Sequence, residues 1–160
     1  MTNGPPVTFK MREPYPLALR LVRRALTRQG LQAPVELDVA SRIKKELGAG
    51  VAPCTVLFVD DPALLLEAIV FNRGAPLGTP QPVVVSGNDY GAEVLIRTPE
   101  SLLSGEFPTG VQDPLLQLHG RILRAMEMIA EQEGTSLAAN FELCSTHSKG
   151  DLLCKRNKPQ

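Results

Sequence analysis

After Tyr15, apolar residues recur at four-residue steps: Leu17, Leu21 and Ala25, flanked by Ala18, Val22 and Leu26. That spacing predicts a helix over about residues 16–29 with one buried face. Gly30 is placed to end it. Ahead of it, Val7–Met11 reads as a short strand, closed by Arg12-Glu13-Pro14. Residues 33–37 predict a second strand, and Pro34 assigns it to a sheet edge, because proline donates no ladder hydrogen bond. Asp38 is positioned to cap a helix over Val39–Leu47, which Gly48 closes. Its buried line would be Val39, Ile43 and Leu47. Residues 55–59 form an unbroken apolar run between Pro53 and Asp60, the pattern of a strand covered on both faces.

Asp61-Pro62 opens another helix, since Asp caps and proline is tolerated at the first helical position. Leu65, Ala68, Ile69 and Asn72 mark its inner face, and Gly74 ends it. Residues 76–82 are a proline-rich loop. Residues 83–85 and 92–97 predict two strands joined by the breaker-rich segment 86–91. A helical turn is expected over 99–104 and a loop over 105–112. Asp113-Pro114 repeats the cap-plus-proline opening for a last helix ending near Glu133, with Leu115, Leu118, Ile122, Ala125, Met126 and Ile129 as its stripe. Beyond Gly134 the periodicity dissolves, so residues 134–160 are expected to form a mobile tail. Strands and helices in this order predict an α+β domain over residues 6–133. The expected packing is a two-layer α/β sandwich, a mixed sheet of about five strands with helices on it.

Composition agrees with one folded domain: 160 residues, 43% of them hydrophobic. No apolar run approaches the roughly 18–20 residues that span a bilayer. Three cysteines, Cys54, Cys144 and Cys154, are too few for a disulfide scaffold, and the odd count points to a reducing, cytoplasmic setting. The zero net charge conceals a gradient. Residues 1–50 hold nine basic against four acidic side chains, whereas residues 51–134 hold four against eleven. Such polarity suits association with an acidic partner or head-to-tail contact, and it equally suits plainly solvated helix faces.

The element order and several local motifs resemble the family of domains of unknown function numbered 302. The carriers are Gln29-Gly30-Leu31, the stretch from Glu36-Leu37-Asp38-Val39 to Leu47-Gly48, the strand over 55–59 with Asp60-Asp61-Pro62-Ala63-Leu64, and the strand over 80–85. The resemblance implies a two-layer fold and dimers. Relatives carry Cys-Asn-Pro where this chain has Asp60-Asp61-Pro62, and Leu-Pro-Cys where it has Thr79-Pro80-Gln81. Redox or metal chemistry at those cysteines therefore does not carry over.

Four places hold candidate chemistry. Asp60 and Asp61, at a strand end beside a helix start, could act as acid and base or hold a cation, and Asp61 could equally be just the cap. His119 touches the apolar face of the last helix, as a general base or as a boundary histidine with one hydrogen bond. Arg20, Arg23, Arg24 and Arg28 form a stripe that, with Lys10 and Arg12 nearby, could meet phosphates; seven aromatic residues and no Trp argue against single-strand binding. Cys144-x-x-His147 with Cys154 and Asp151 lacks the second paired motif of a zinc site, so no metal is assigned. Cys54 is expected to be a small buried hydrophobe. Nucleotide-binding and hydrolase signatures are missing. The prediction is a non-catalytic small-ligand or protein-interaction module, homodimeric and without cofactor. A small-molecule enzyme using Asp60, Asp61 and His119 is the alternative, and nucleic-acid binding through Arg20, Arg23, Arg24 and Arg28 is the second.

Overall fold

Capping chemistry sets the helix starts. A computed structural model describes residues 5–102 and 107–147, with side chains over 5–100 and 107–129. The chain runs β1 (Val7–Met11), α1 (Tyr15–Arg28), β2 (Gln32–Asp38), α2 (Val39–Leu47), β3 (Cys54–Asp60), α3 (Pro62–Phe71), a 3₁₀ turn (Ala75–Leu77), β4 (Gln81–Asn88), β5 (Gly91–Ile96), α4 (Pro99–Leu102) and α5 (Thr109–His147). Asp38 accepts from the Ser41 amide at 2.9 Å and Asp61 from the Ala63 amide at 2.8 Å, so both aspartates cap as their positions predict. Gly48 closes α2 in the left-handed region at φ 68°.

The strands assemble in the order β1-β5-β4-β3-β2, and every neighbouring pair is antiparallel. The α+β class and the two layers hold, but the sheet is antiparallel throughout, not mixed. The reason lies in the connections. The α2 and α3 segments each return the chain to an adjacent strand running the other way, so they act as long hairpin connections and not as βαβ crossovers. Proline-bearing β2 is indeed an edge. The β4–β5 turn is tighter than the breaker-rich segment suggests: Asn88 pairs with Gly91, leaving Asp89 and Tyr90 as the loop. Gly91 is obligatory there, because at φ 150° a Cβ would lie 2.2 Å from the Met11 carbonyl oxygen.

One face of the sheet carries the core. Leu57, Val59, Val83, Val85, Val94 and Ile96 pack against Ala18, Val22 and Leu26 of α1 and Leu118, Ile122 and Met126 of α5. The other face is bare of helices. Burial in β3 accordingly alternates: Thr55, Leu57 and Val59 are buried, while Val56 and Phe58 are half-buried. The expectation of cover on both faces fails because an antiparallel sheet can leave one side to solvent while its side chains shade each other. Cys54, on this second face, is a half-buried free thiol, where full burial was expected. The sequence pattern also overstates α2, which has no buried residue and leaves Leu47 77% exposed.

Helix α5 departs from expectation at both ends. It begins at Thr109, so Pro114 lies inside it and Asp113 is not its cap. Pro114 forgoes the bond to the Gly110 carbonyl one turn back, a loss tolerable this close to the helix start. At the other end the helical backbone passes Glu133 and continues to His147. Residues 134–147 lack an apolar stripe but hold helix formers such as Ala138, Ala139 and Leu143, with no proline. The end of the expected tail, residues 148–160, lies outside the described residues.

Candidate functional site

At the carboxyl end of β3, Asp61 is fully engaged. Besides capping α3, it pairs with the Arg121 guanidinium of α5, and Arg121 also donates through Nε and Nη2 to the Gln29 carbonyl at the end of α1, at 3.2 and 2.5 Å. Gly30, at φ 70°, clears the space: a Cβ there would meet Arg121 Nη2 at 2.9 Å. One guanidinium thus joins three helices. Burial pushes the Asp61 carboxyl up, but the Ala63 amide and Arg121 outweigh it and hold the group below the usual carboxylate range. Asp60 is the opposite case. Its Oδ1 is buried without a hydrogen-bond partner among the described residues, and burial, with the neighbouring Asp61 charge, raises its carboxyl.

Asp60→Asn is therefore a direct test. A folded value above the unfolded one favours the protonated carboxyl, so stability is lost as pH rises through the folded value. At neutral pH the amide variant should be more stable, because it removes a charge that burial and the neighbouring Asp61 carboxylate both oppose. Chemical denaturation at pH 7 and pH 4 checks this, and the gain should shrink at the lower pH. Unchanged stability at pH 7 would mean that Asp60 is solvated.

His119 does not join the aspartates. It lies two residues before Arg121 on α5, roughly 200° around the axis, so the residue that holds Asp61 and the histidine occupy opposite sides of the helix. It is only 2% exposed and neither ring nitrogen has a partner among the described residues, where a boundary histidine with one hydrogen bond was expected. Burial lowers its basicity, against an opposing pull from Glu100. The positions where relatives carry cysteine are neighbours in the ladder but not partners: Gln81 pairs with Val59, so Asp60, one residue on, belongs to the other face of the sheet. Gln81 is buried and donates to the Leu115 carbonyl at 2.9 Å, next to a cis Thr79–Pro80 bond.

The arginine stripe divides. Arg23 pairs with Glu36 of β2, its Nε at 2.9 Å, while Arg20, Arg24 and Arg28 stay exposed on the side of α1 facing away from the sheet. Lys10 projects from the other face of the sheet, as its pairing with Glu93 and not with a core position requires, so it does not extend the stripe. Among the described residues, no three of His, Cys, Asp and Glu gather as metal ligands, and the side chains of Cys144, His147, Asp151 and Cys154 lie outside that set.

The opposite end of β3 offers what the aspartate end lacks, a cleft. About 490 Å³ lies between the start of α1, the approach to β3 and the β4–β5 hairpin, walled by Arg12, Tyr15, Pro53, Asn88, Asp89 and Tyr90. That volume is within the range of small-molecule sites. Tyr15 is held in place by a 2.6 Å hydrogen bond between its hydroxyl and that of Thr55, and Gly87 lets it approach, since a Cβ there would lie 3.1 Å from the tyrosine Cβ. Tyr90, 91% exposed at the turn, forms the rim. The wall brings two phenol rings and charges of both signs to one concavity. Sequence reasoning passed over these residues, although the chain has just two tyrosines and one sits in a hairpin loop, where an apolar ring has no folding role.

No helix among the described residues is long and apolar enough to cross a membrane. No curated protein matches the chain. Among solved structures, the crystal structure of an uncharacterized conserved DUF302 protein from Bacillus stearothermophilus superposes with a TM-score of 0.69 at 12% identity, covering 76% of this chain and 95% of that one. At that identity the likeness speaks for the fold. The sequence model of the DUF302 family matches residues 7–129, the whole of the sheet and the first part of α5. The chain belongs to DUF302, a family of domains of unknown function.

Proposed function

We propose that this protein is a non-catalytic module that holds a small, flat, polar molecule in the cleft walled by Tyr15 and Tyr90. The observation that carries the reading is the cleft's combination of size and lining. An aromatic wall fixed by the Thr55 hydroxyl is matched by the exposed ring of Tyr90 at the rim, and Arg12 and Asp89 bring charge to the lining. A ring-bearing ligand would stack between the phenols, a geometry worth about 0.5–1.5 kcal/mol per aromatic contact beyond area burial. The engagement of Asp61 by the Ala63 amide and Arg121, and the enclosure of His119, support a binding role over acid–base chemistry at that end.

A thermal-shift screen of the full chain against metabolites with planar rings tests the proposal. Binding to the native state alone raises the melting temperature by mass action. Tyr90→Ala should abolish the shift while leaving the unliganded melting temperature unchanged, because the side chain is exposed. A ligand whose shift survives both Tyr90→Ala and Asp89→Ala binds elsewhere and defeats this reading.

A further inference from the structure

Helix α1 carries charge of one sign only. Its sequence, Tyr15–Arg28, holds four arginines and no acid. Arg23 is taken by Glu36 of β2. Arg20, Arg24 and Arg28 stay exposed at four-residue steps, so they climb about 6 Å at a time along one line. None of the three has an ion-pair partner among the described residues. A solvated helix face ordinarily mixes the two signs, because like charges four residues apart repel and weaken the helix. The helix dipole offsets Arg28 in the last turn, but it does nothing for Arg20 and Arg24. Helix α5, which meets the end of α1 where Gln29 donates to the Met128 sulfur, exposes both Arg124 and Glu127, so the positive excess belongs to α1 alone. A second line runs beside the row. Leu17 and Leu21, each three residues before an arginine, are half-buried.

We propose that this row docks an acidic α-helix of a partner protein. Charge complementarity is the argument, and pitch sharpens it. A helix lying along α1 has the same rise per turn, so glutamates at four-residue spacing meet Arg20, Arg24 and Arg28 in succession. Its apolar side chains then settle against Leu17 and Leu21, giving the apolar seam with a charged flank by which helices pair. Arginine suits the task, since its planar fork donates two parallel hydrogen bonds to one carboxylate. A nucleic acid is a poorer occupant. Binders that rely on the backbone make roughly 6–10 phosphate contacts, and this row offers only its few guanidinium groups. The one aromatic ring of α1, Tyr15, is bonded to Thr55 of the sheet and supplies no stacking platform beside the row. The inference is independent of the cleft, whose wall includes Arg12 and Tyr15 but no arginine of the row.

Fluorescence anisotropy of the full chain tests it, with a dye-labelled, alanine-rich synthetic peptide of about 20 residues, long enough to be helical by itself. The peptide carries glutamates four residues apart, with leucines three residues from them. Saturable binding that weakens as salt rises is the expected result. Arg24→Glu should weaken it by about tenfold or more, because two like charges are then opposed. A peptide with its central glutamate changed to arginine should recover most of that loss against the variant, which a purely structural role for Arg24 would not produce. Arg24 is exposed and the variant relieves its repulsion with Arg20 and Arg28, so the melting temperature should not fall. Absence of binding overturns the inference, and so does binding indifferent to Arg24→Glu or equally strong with glutamine in place of glutamate. Displacement of the peptide from the row by equimolar single-stranded RNA would also overturn it, assigning the arginines to phosphates.

Discussion

Arg121→Ala should cost about 2–3 kcal/mol of folding stability, less than a fully enclosed pair because both side chains keep some solvent contact. The substitution strands two acceptors. Asp61 keeps its cap to the Ala63 amide but loses its counter-charge, and the Gln29 carbonyl at the end of α1 loses both of its guanidinium donors. Removing one partner of an enclosed polar pair exacts the desolvation cost of the other, which is why the loss exceeds the net worth of an ordinary hydrogen bond. Arg121→Lys should recover less than half of it, since an ammonium is a single point donor and cannot serve a carboxylate and a carbonyl in one plane. Acid dependence gives an independent readout. A carboxyl held below its unfolded value contributes stability that is present above the unfolded value and lost as pH falls through the folded one. The wild-type chain should therefore lose stability on acidification through the carboxylate range more steeply than Arg121→Ala does. Urea denaturation of both proteins at pH 7 and pH 3 measures this, and parallel losses would show that Arg121 is not what holds Asp61 ionised.

That clamp illustrates what local sequence can and cannot reveal. Asp38 and Asp61 were recognisable as caps because a cap is a short-range device: a side-chain oxygen, an amide two or three residues on, and nothing else. Gly30 and Gly48 were legible for the same reason, and Pro34 marked an edge because its missing N–H is local. The Asp61–Arg121 pair spans sixty residues and has no local signature. The antiparallel sheet is hidden likewise, since a strand–helix–strand pattern fits a crossover as well as a long hairpin connection, and the choice depends on where β2 and β3 lie in space. Periodicity misled where it is ambiguous. The β3 run is apolar on both parities, yet one parity packs under helices while Val56 and Phe58 shade one another on the bare face. The α3 pattern suggested one inner face through Leu65, Ala68 and Ile69, but the helix is apolar on nearly every side, and Ala68 is its one buried residue. The cleft escaped notice because Arg12, Tyr15 and Tyr90 meet only once the β1–β5 and β4–β5 registers are known.

His119→Leu should stabilise the protein, and more so in acid. Leucine is close in volume to histidine and belongs in the site by composition, since Leu115, Leu118 and Ile122 on the same helix are all buried. At neutral pH the imidazole leaves a donor and an acceptor unsatisfied in the interior, a penalty of about 1–3 kcal/mol that leucine removes. Below neutrality a second effect is added. Burial holds the folded histidine below its unfolded value, and Glu100 opposes this without overcoming it. The unfolded chain therefore takes up its proton first. Stability is complete above the unfolded value of about 6.5 and drains away as pH falls toward the folded one, with the slope set by the difference in bound protons. The leucine variant has no such proton to bind, so its advantage should widen between pH 7.5 and pH 5.5. Equal loss in both proteins over that interval would assign the acid sensitivity to carboxylates such as Asp61. A leucine variant less stable at both pH values would mean that the ring is held by packing or polar contacts that leucine cannot replace. The histidine would then be a required part of the core, and its two silent nitrogens would mark a polar environment deep in the helix layer instead of a tolerated defect.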